Sequence, residues 1–124
     1  MSSMDEILER VEEKTIVEIV DDFIATFTIE WGFVTIQVVN QKTNESVIMY
    51  MRLFGESEKL RKKLKEFEED EELRKEIARV AIKMMSFFRK YHRLLGNVIQ
   101  LKFDLTPEEL EKRIKQTLGG DHGE

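Results

Sequence analysis

The chain has 124 residues, with 20 basic and 25 acidic side chains for a net charge of −5, and is 41% hydrophobic and 36% charged. That length suits one domain around one core, and the composition lies well away from the disordered class. The absence of cysteine excludes disulfide staples, thiolate catalysis and Cys-based zinc or iron–sulfur sites, and the acidic balance disfavours a non-specific grip on nucleic acid.

Residues 4–13, MDEILERVEE, read as a short helix. Ser2 or Ser3 is placed to cap it, Asp5 and Glu6 suit its positive N-terminal end, and Ile7, Leu8 and Val11 share one face. TIVEIV (15–20) is rich in β-branched residues, and its apolar positions scatter round a helical wheel. It reads as a strand, with a continuation of the first helix as the alternative. From Phe23 the period is two: Phe23, Ala25, Phe27, Ile29 and Trp31 alternate with Ile24, Thr26, Thr28 and Glu30. Gly32 marks a turn or a bulge. Val34, Ile36 and Val38 then alternate with Thr35 and Gln37, NQKTNES (40–46) is a polar loop, and VIMYMRLF (47–54) returns as a strand.

Ser57 stands where an N-cap is needed for EKLRKKLKEF, whose Leu60, Leu64 and Phe67 form a narrow apolar face. Asp70 is placed to cap a second helix over 71–95, ended by Gly96 and Asn97. The pattern leaves one bent helix or two open. Ile99, Leu101, Phe103 and Leu105 alternate in a further strand. TPEE (106–109) is a capping box with Pro at the first helical position, and Leu110, Ile114 and Leu118 edge the closing helix. The expected fold is α+β: an antiparallel meander of three to five strands against a long amphipathic helical section, with short N- and C-terminal helices. Residues 1–124 form one domain in this reading, with flexible ends at 1–3 and 119–124. No signal peptide opens the chain and no apolar run approaches membrane-spanning length, so the expectation is a cytoplasmic protein. Abundant Lys and Glu without Cys suit a hot environment, although a single Pro counts against it.

The densest packet of unusual side chains is IKMMSFFRKYH (82–92). On a wheel Leu73, Ile77, Val80, Met84, Phe87, Tyr91 and Leu94 line up, with Ala81, Phe88 and Leu95 in an adjoining row. Such a broad face normally covers a sheet. His92 has neither a second internal His nor a Cys with which to build a metal site, and Asp121, His122 and Glu124 sit in a tail ill suited to one. The opposite face carries Arg79, Lys83, Arg89, Lys90 and Arg93, with no acid between Ile77 and Arg93. A basic helix end answers the helix dipole. The sharper reading is a stripe for phosphate or an acidic partner, with Ile82 inside it as a contact. Asp21-Asp22 reads as a turn rather than a catalytic carboxylate pair. FGES, with its single glycine, makes no phosphate loop, and no nucleophile–base–acid spacing is found.

The alternating ATFTIEWGFVTIQV, the strand VIMYMRLFGE leading into a helix, and VIQLKFDLTPEELEKRI near the end together resemble the small acidic chaperones of type III secretion and the YbjN-type domains. The resemblance implies a protein that pairs through its long helix and holds an extended partner segment on apolar patches. The expected function is thus a non-enzymatic protein-binding domain, of the adaptor, chaperone-like or regulatory kind, acting as a homodimer without a cofactor. Its partner surface is expected at Trp31, Phe33, Tyr50, Phe54 and Ile82, and its dimer contacts at Ile77, Met84, Phe88 and Tyr91. A nucleic-acid-associated regulator using the basic stripe is the alternative, and a small enzyme with an unrecognised site a more remote one.

Overall fold

A computed structural model describes residues 13–91 and 98–119. The expected N-terminal helix, His92, Arg93 and the 120–124 tail lie outside these residues. Four strands follow one another: β1 (Lys14–Val20), β2 (Phe23–Glu30), β3 (Phe33–Asn40) and β4 (Ser46–Leu53). Two helices, α1 (Ser57–Glu69) and α2 (Glu71–Tyr91), lead to β5 (Val98–Leu105) and α3 (Pro107–Gly119). The strands form one sheet in the order β1-β2-β3-β4-β5.

The meander is antiparallel throughout, and segment 15–20 is its first edge strand. The sheet departs from the sequence expectation at β5, which pairs parallel to β4, Met49 opposite Leu101. A parallel neighbour requires a long crossover, and the two helices supply it. Turn chemistry agrees with backbone geometry. Asp21 has φ 54° and Gly32 has φ 75°, each in a two-residue connection. The Asn40 side chain accepts hydrogen bonds from the backbone N–H groups of Lys42 and Thr43 at 2.8 and 3.2 Å and folds the β3–β4 loop.

All three helices lie on one face of the sheet. Ala25, Phe27, Ile29, Val34, Ile36, Val38, Met49 and Met51 point into that layer and are buried there with Leu64, Phe67, Ile77, Ala81, Met85 and Ile114. The helical section is two helices, because Asp70 adopts an extended backbone (ψ 95°) and its carboxylate accepts a hydrogen bond from Leu73 N–H at 2.9 Å. Ser57, expected as a cap, is instead the first residue of α1, whose N-cap Glu56 makes no side-chain capping bond. At α3 the capping box forms as expected: Thr106 N–H donates to Glu109 Oε1 at 2.9 Å, and Glu109 N–H donates to Thr106 Oγ1 at 3.1 Å.

Candidate functional site: the uncovered face of the sheet

Strand alternation sends every second residue to the face opposite the helices, and no described helix lies on that face. The pairing register arranges its side chains in rows across the strands. One end row is Ile19, Ile24, Val39, Ser46 and Val98, and beside it run Val17, Thr26, Gln37, Ile48 and Gln100. Next come Thr15, Thr28, Thr35, Tyr50 and Lys102, and the far row is Glu30, Phe33, Arg52 and Asp104. Six large apolar side chains of the described residues are exposed. Val17 (56%), Ile19 (64%), Phe33 (44%) and Val98 (51%) are on this face, Phe54 stands at its rim, and Phe87 is on α2.

The two ends of the face differ in chemistry. The Ile19 end is aliphatic and carries no charge. At the other end Phe33, Tyr50, Arg52, Gln100, Lys102 and Asp104 line an open groove of about 470 Å³. Arg52 Nε lies 3.2 Å from Asp104 Oδ1, its guanidinium carbon is 5.9 Å from the centre of the Phe54 ring, and Lys102 Nζ is 6.0 Å from that of Tyr50. These distances are at the outer reach of cation–π attraction. The groove therefore offers flat apolar faces rimmed by one acid and two bases.

Of the expected partner residues, Phe33, Tyr50 and Phe54 are brought together here. Trp31, in the β2–β3 turn, is partly buried against the core. Ile82 is half-buried against the core. It lines a separate open groove of about 670 Å³ on the helical side, with Met84, Phe87, Phe88 and Thr117. The sequence holds the signal for the sheet face, since Val17, Ile19, Ile24, Val39 and Ile48 are apolar at positions of outward parity. What it does not show is which of the two apolar parities the helices cover.

The buried face of α2 keeps Ile77, Val80 and Ala81 of the expected rows and shifts by about one position toward the helix end. Arg74, Ala78, Ala81 and Met85 form a buried row, whereas Met84 and Phe88 are half-buried and Phe87 is exposed. Two alanines in that row let the helix lie close on the sheet. Among the expected dimer contacts Ile77 belongs to the core at 1% exposure, which leaves it no surface to offer. Met84 and Phe88 pack against the same core, and Tyr91 is the last residue of the helix.

Among the described residues of the basic stripe, three cations are engaged in contacts within the fold. Arg79 pairs with Glu72 at 3.2 Å, Arg89 pairs with Glu45 at 3.1 Å, and Lys83 Nζ donates to the Thr117 carbonyl at 3.1 Å. These cations pin α2 to itself, to the β3–β4 loop and to α3. Lys90 is exposed but has its own partners.

Two buried ionic contacts carry no sequence signature. Glu18 points into the helical layer from β1, where Arg74 Nε donates to its Oε2 at 2.7 Å, and Arg74 Nη1 donates to the carbonyls of Phe67 and Glu68 at 2.7 and 3.0 Å. The guanidinium thus closes the C-terminal end of α1 while neutralising a carboxylate on an edge strand. Lys63, also buried, donates to Glu66 at 2.9 Å and to Glu111 of α3. Burial opposes its charge, but the hydrogen bonds to Glu111 and Glu66 outweigh it and raise the Lys63 pKa above 10.5. The hydrogen bond from Lys63 lowers that of Glu111 below 4.5. Both sites lie under or beside the helices and serve packing. Among the described residues no group of three or more His, Asp or Glu side chains is placed to hold a metal ion, and no helix is long and apolar enough to cross a membrane. Comparison with protein-family models, with curated proteins and with solved structures finds no match.

Proposed function

We propose that this chain is a non-enzymatic protein-binding domain, of the adaptor, chaperone-like or regulatory kind, whose working surface is the uncovered face of its sheet. The observation that carries the reading is the concentration of exposed Val17, Ile19, Phe33 and Val98 on one face. A sheet face that holds most of the exposed large apolar side chains, with no described helix over it, marks a candidate interaction surface. Aromatic and arginine side chains such as Phe33, Tyr50 and Arg52, grouped at one end of the face, are also enriched at protein interfaces. The face has length as well as area, so it suits a protein surface better than a small molecule, which prefers an enclosed cleft. The ionic groups elsewhere are engaged in tying helices together, which favours a binding role over a catalytic one.

Photo-crosslinking tests this directly. A photoreactive amino acid at Gln37, exposed at the middle of the face, is expected to give protein adducts in cells. The same amino acid at Lys62, exposed on α1, is expected to give few. Equal yields at the two positions, or none at Gln37, would remove the reading.

A further inference from the structure

We propose that the occupant of the uncovered sheet face is a second copy of this chain, stacked face to face about a two-fold axis close to the direction of β3. The inference rests on the reading of that face as a protein-binding surface and names what binds there. Three observations carry it: the size of the face, its charge, and the way its rows map onto themselves.

Five strands at about 4.8 Å spacing, seven or eight residues long at about 3.4 Å each, present roughly 640 Å² of plane. With side chains standing on it, the face approaches the ~800 Å² per partner of a standard interface, and two copies clear the ~1,000 Å² total that a stable contact needs.

The strands' outward charges are Glu30 and Asp104 against Arg52 and Lys102, so the face is neutral on a chain of net charge −5. A strongly basic or strongly acidic partner gains nothing from such a face. A second copy does, because Glu30 on β2 and Arg52 on β4 stand on strands that such a pairing brings over one another.

Rotation about β3 keeps each row in place and exchanges β2 with β4 and β1 with β5. The aliphatic row then meets itself, with Val39 near its own copy and Ile19 over Val98. At the far end Phe33 meets Phe33, and Glu30 of one copy lies over Arg52 of the other. Stacked sheets cross at about 30°. This offsets the end rows by about one strand, a distance within reach of the Arg52 and Glu30 side chains. The contact is isologous, as closed dimers require, and it covers every exposed apolar side chain of the strands. The helical side of each copy stays open.

Molar mass by light scattering on a sizing column decides the matter, with melting temperature as the check on folding. Wild-type protein is expected to be a dimer at low and high salt. Ile19→Asp places a charge in the aliphatic row and is expected to give a monomer. Glu30→Arg sets Arg against Arg52 across the axis and is expected to weaken the dimer about tenfold or more, with recovery in Glu30→Arg/Arg52→Glu, since close charge pairs across interfaces couple at that scale. A monomeric wild type overturns the second-copy assignment, as does a dimer indifferent to Ile19→Asp and Glu30→Arg. The broader reading is judged separately: if Gln37 still crosslinks to another protein when the purified chain is monomeric, the face binds a partner and only the identity of that partner is wrong.

Discussion

The contact between Glu18 and Arg74 is where a single substitution should cost most. Both residues are buried, at 8% and 7% exposure. The pair joins the edge strand β1 to α2, and the same guanidinium satisfies two carbonyls at the end of α1. Arg74→Met keeps the length of the side chain and removes its charge and donors. It leaves the Glu18 carboxylate buried without a partner, which costs about 3–5 kcal/mol. The carbonyls of Phe67 and Glu68 also lose a donor, at about 0.5–1.5 kcal/mol each where water does not replace it. Against a total stability of about 5–15 kcal/mol for a domain, this is a third or more. Glu18→Leu/Arg74→Met is expected to be more stable than Arg74→Met alone, because the second change removes the orphaned charge. Urea denaturation followed by the fluorescence of Trp31, the sole tryptophan, and by circular dichroism gives both free energies. A loss below about 1 kcal/mol for Arg74→Met, or strictly additive effects in the double variant, would show that the buried pair does not constrain the fold.

Four further outcomes are open to the same assays. Lys63→Met should cost on the order of 1 kcal/mol near neutral pH, and this difference should depend on pH at both ends. The raised Lys63 pKa makes its contribution complete below 10.5 and lost as pH rises through the folded value. The lowered Glu111 pKa makes its share complete above 4.5 and lost as pH falls through the folded value. A wild-type-minus-variant stability that is flat from acid to alkaline pH would refute that coupling. Gly32→Ala, at φ 75°, should cost about 1–2 kcal/mol through backbone strain, read as a lower melting temperature, since an added Cβ would meet the Leu53 carbonyl oxygen only at an ordinary contact distance of 3.5 Å. Thr106→Ala should cost about 1 kcal/mol, with Glu109→Ala adding little to it because the two capping bonds are reciprocal; additive losses would argue against the box. Phe67→Ala, at a fully buried ring, should cost about 3–5 kcal/mol, and a smaller loss would mean that the layer between α1 and β2 collapses around the gap.

The strands, the two-residue turns, the cap at Asp70 and the capping box before α3 are set by neighbours in sequence, and they are readable there for that reason. Alternation at period two needs only the β-strand pleat. Asp70 and Thr106 cap helices through bonds to residues three positions on. Phe33, Tyr50 and Phe54 share outward parity, so their grouping too follows from pleat and register.

Only the tertiary structure decided the rest, because each remaining feature depends on distant chain segments. In TIVEIV both parities are apolar, and nothing local says that Glu18 faces inward. Arg74, 56 residues away, makes that orientation tolerable. Along α2, Ala78 and Ala81 are buried beside Ile77 and Val80, which leaves Ile77 no surface for a partner, whereas Phe87 toward the helix end is exposed. Of the cations in the basic stripe, Lys83 and Arg89 found a carbonyl on α3 and an acid in the β3–β4 loop. The direction of β5 followed from the crossover, and which face of the sheet the described helices leave open followed from where they packed. Local chemistry sets the elements; the competition among surfaces for burial, settled between elements far apart in the chain, sets which surface is left for binding.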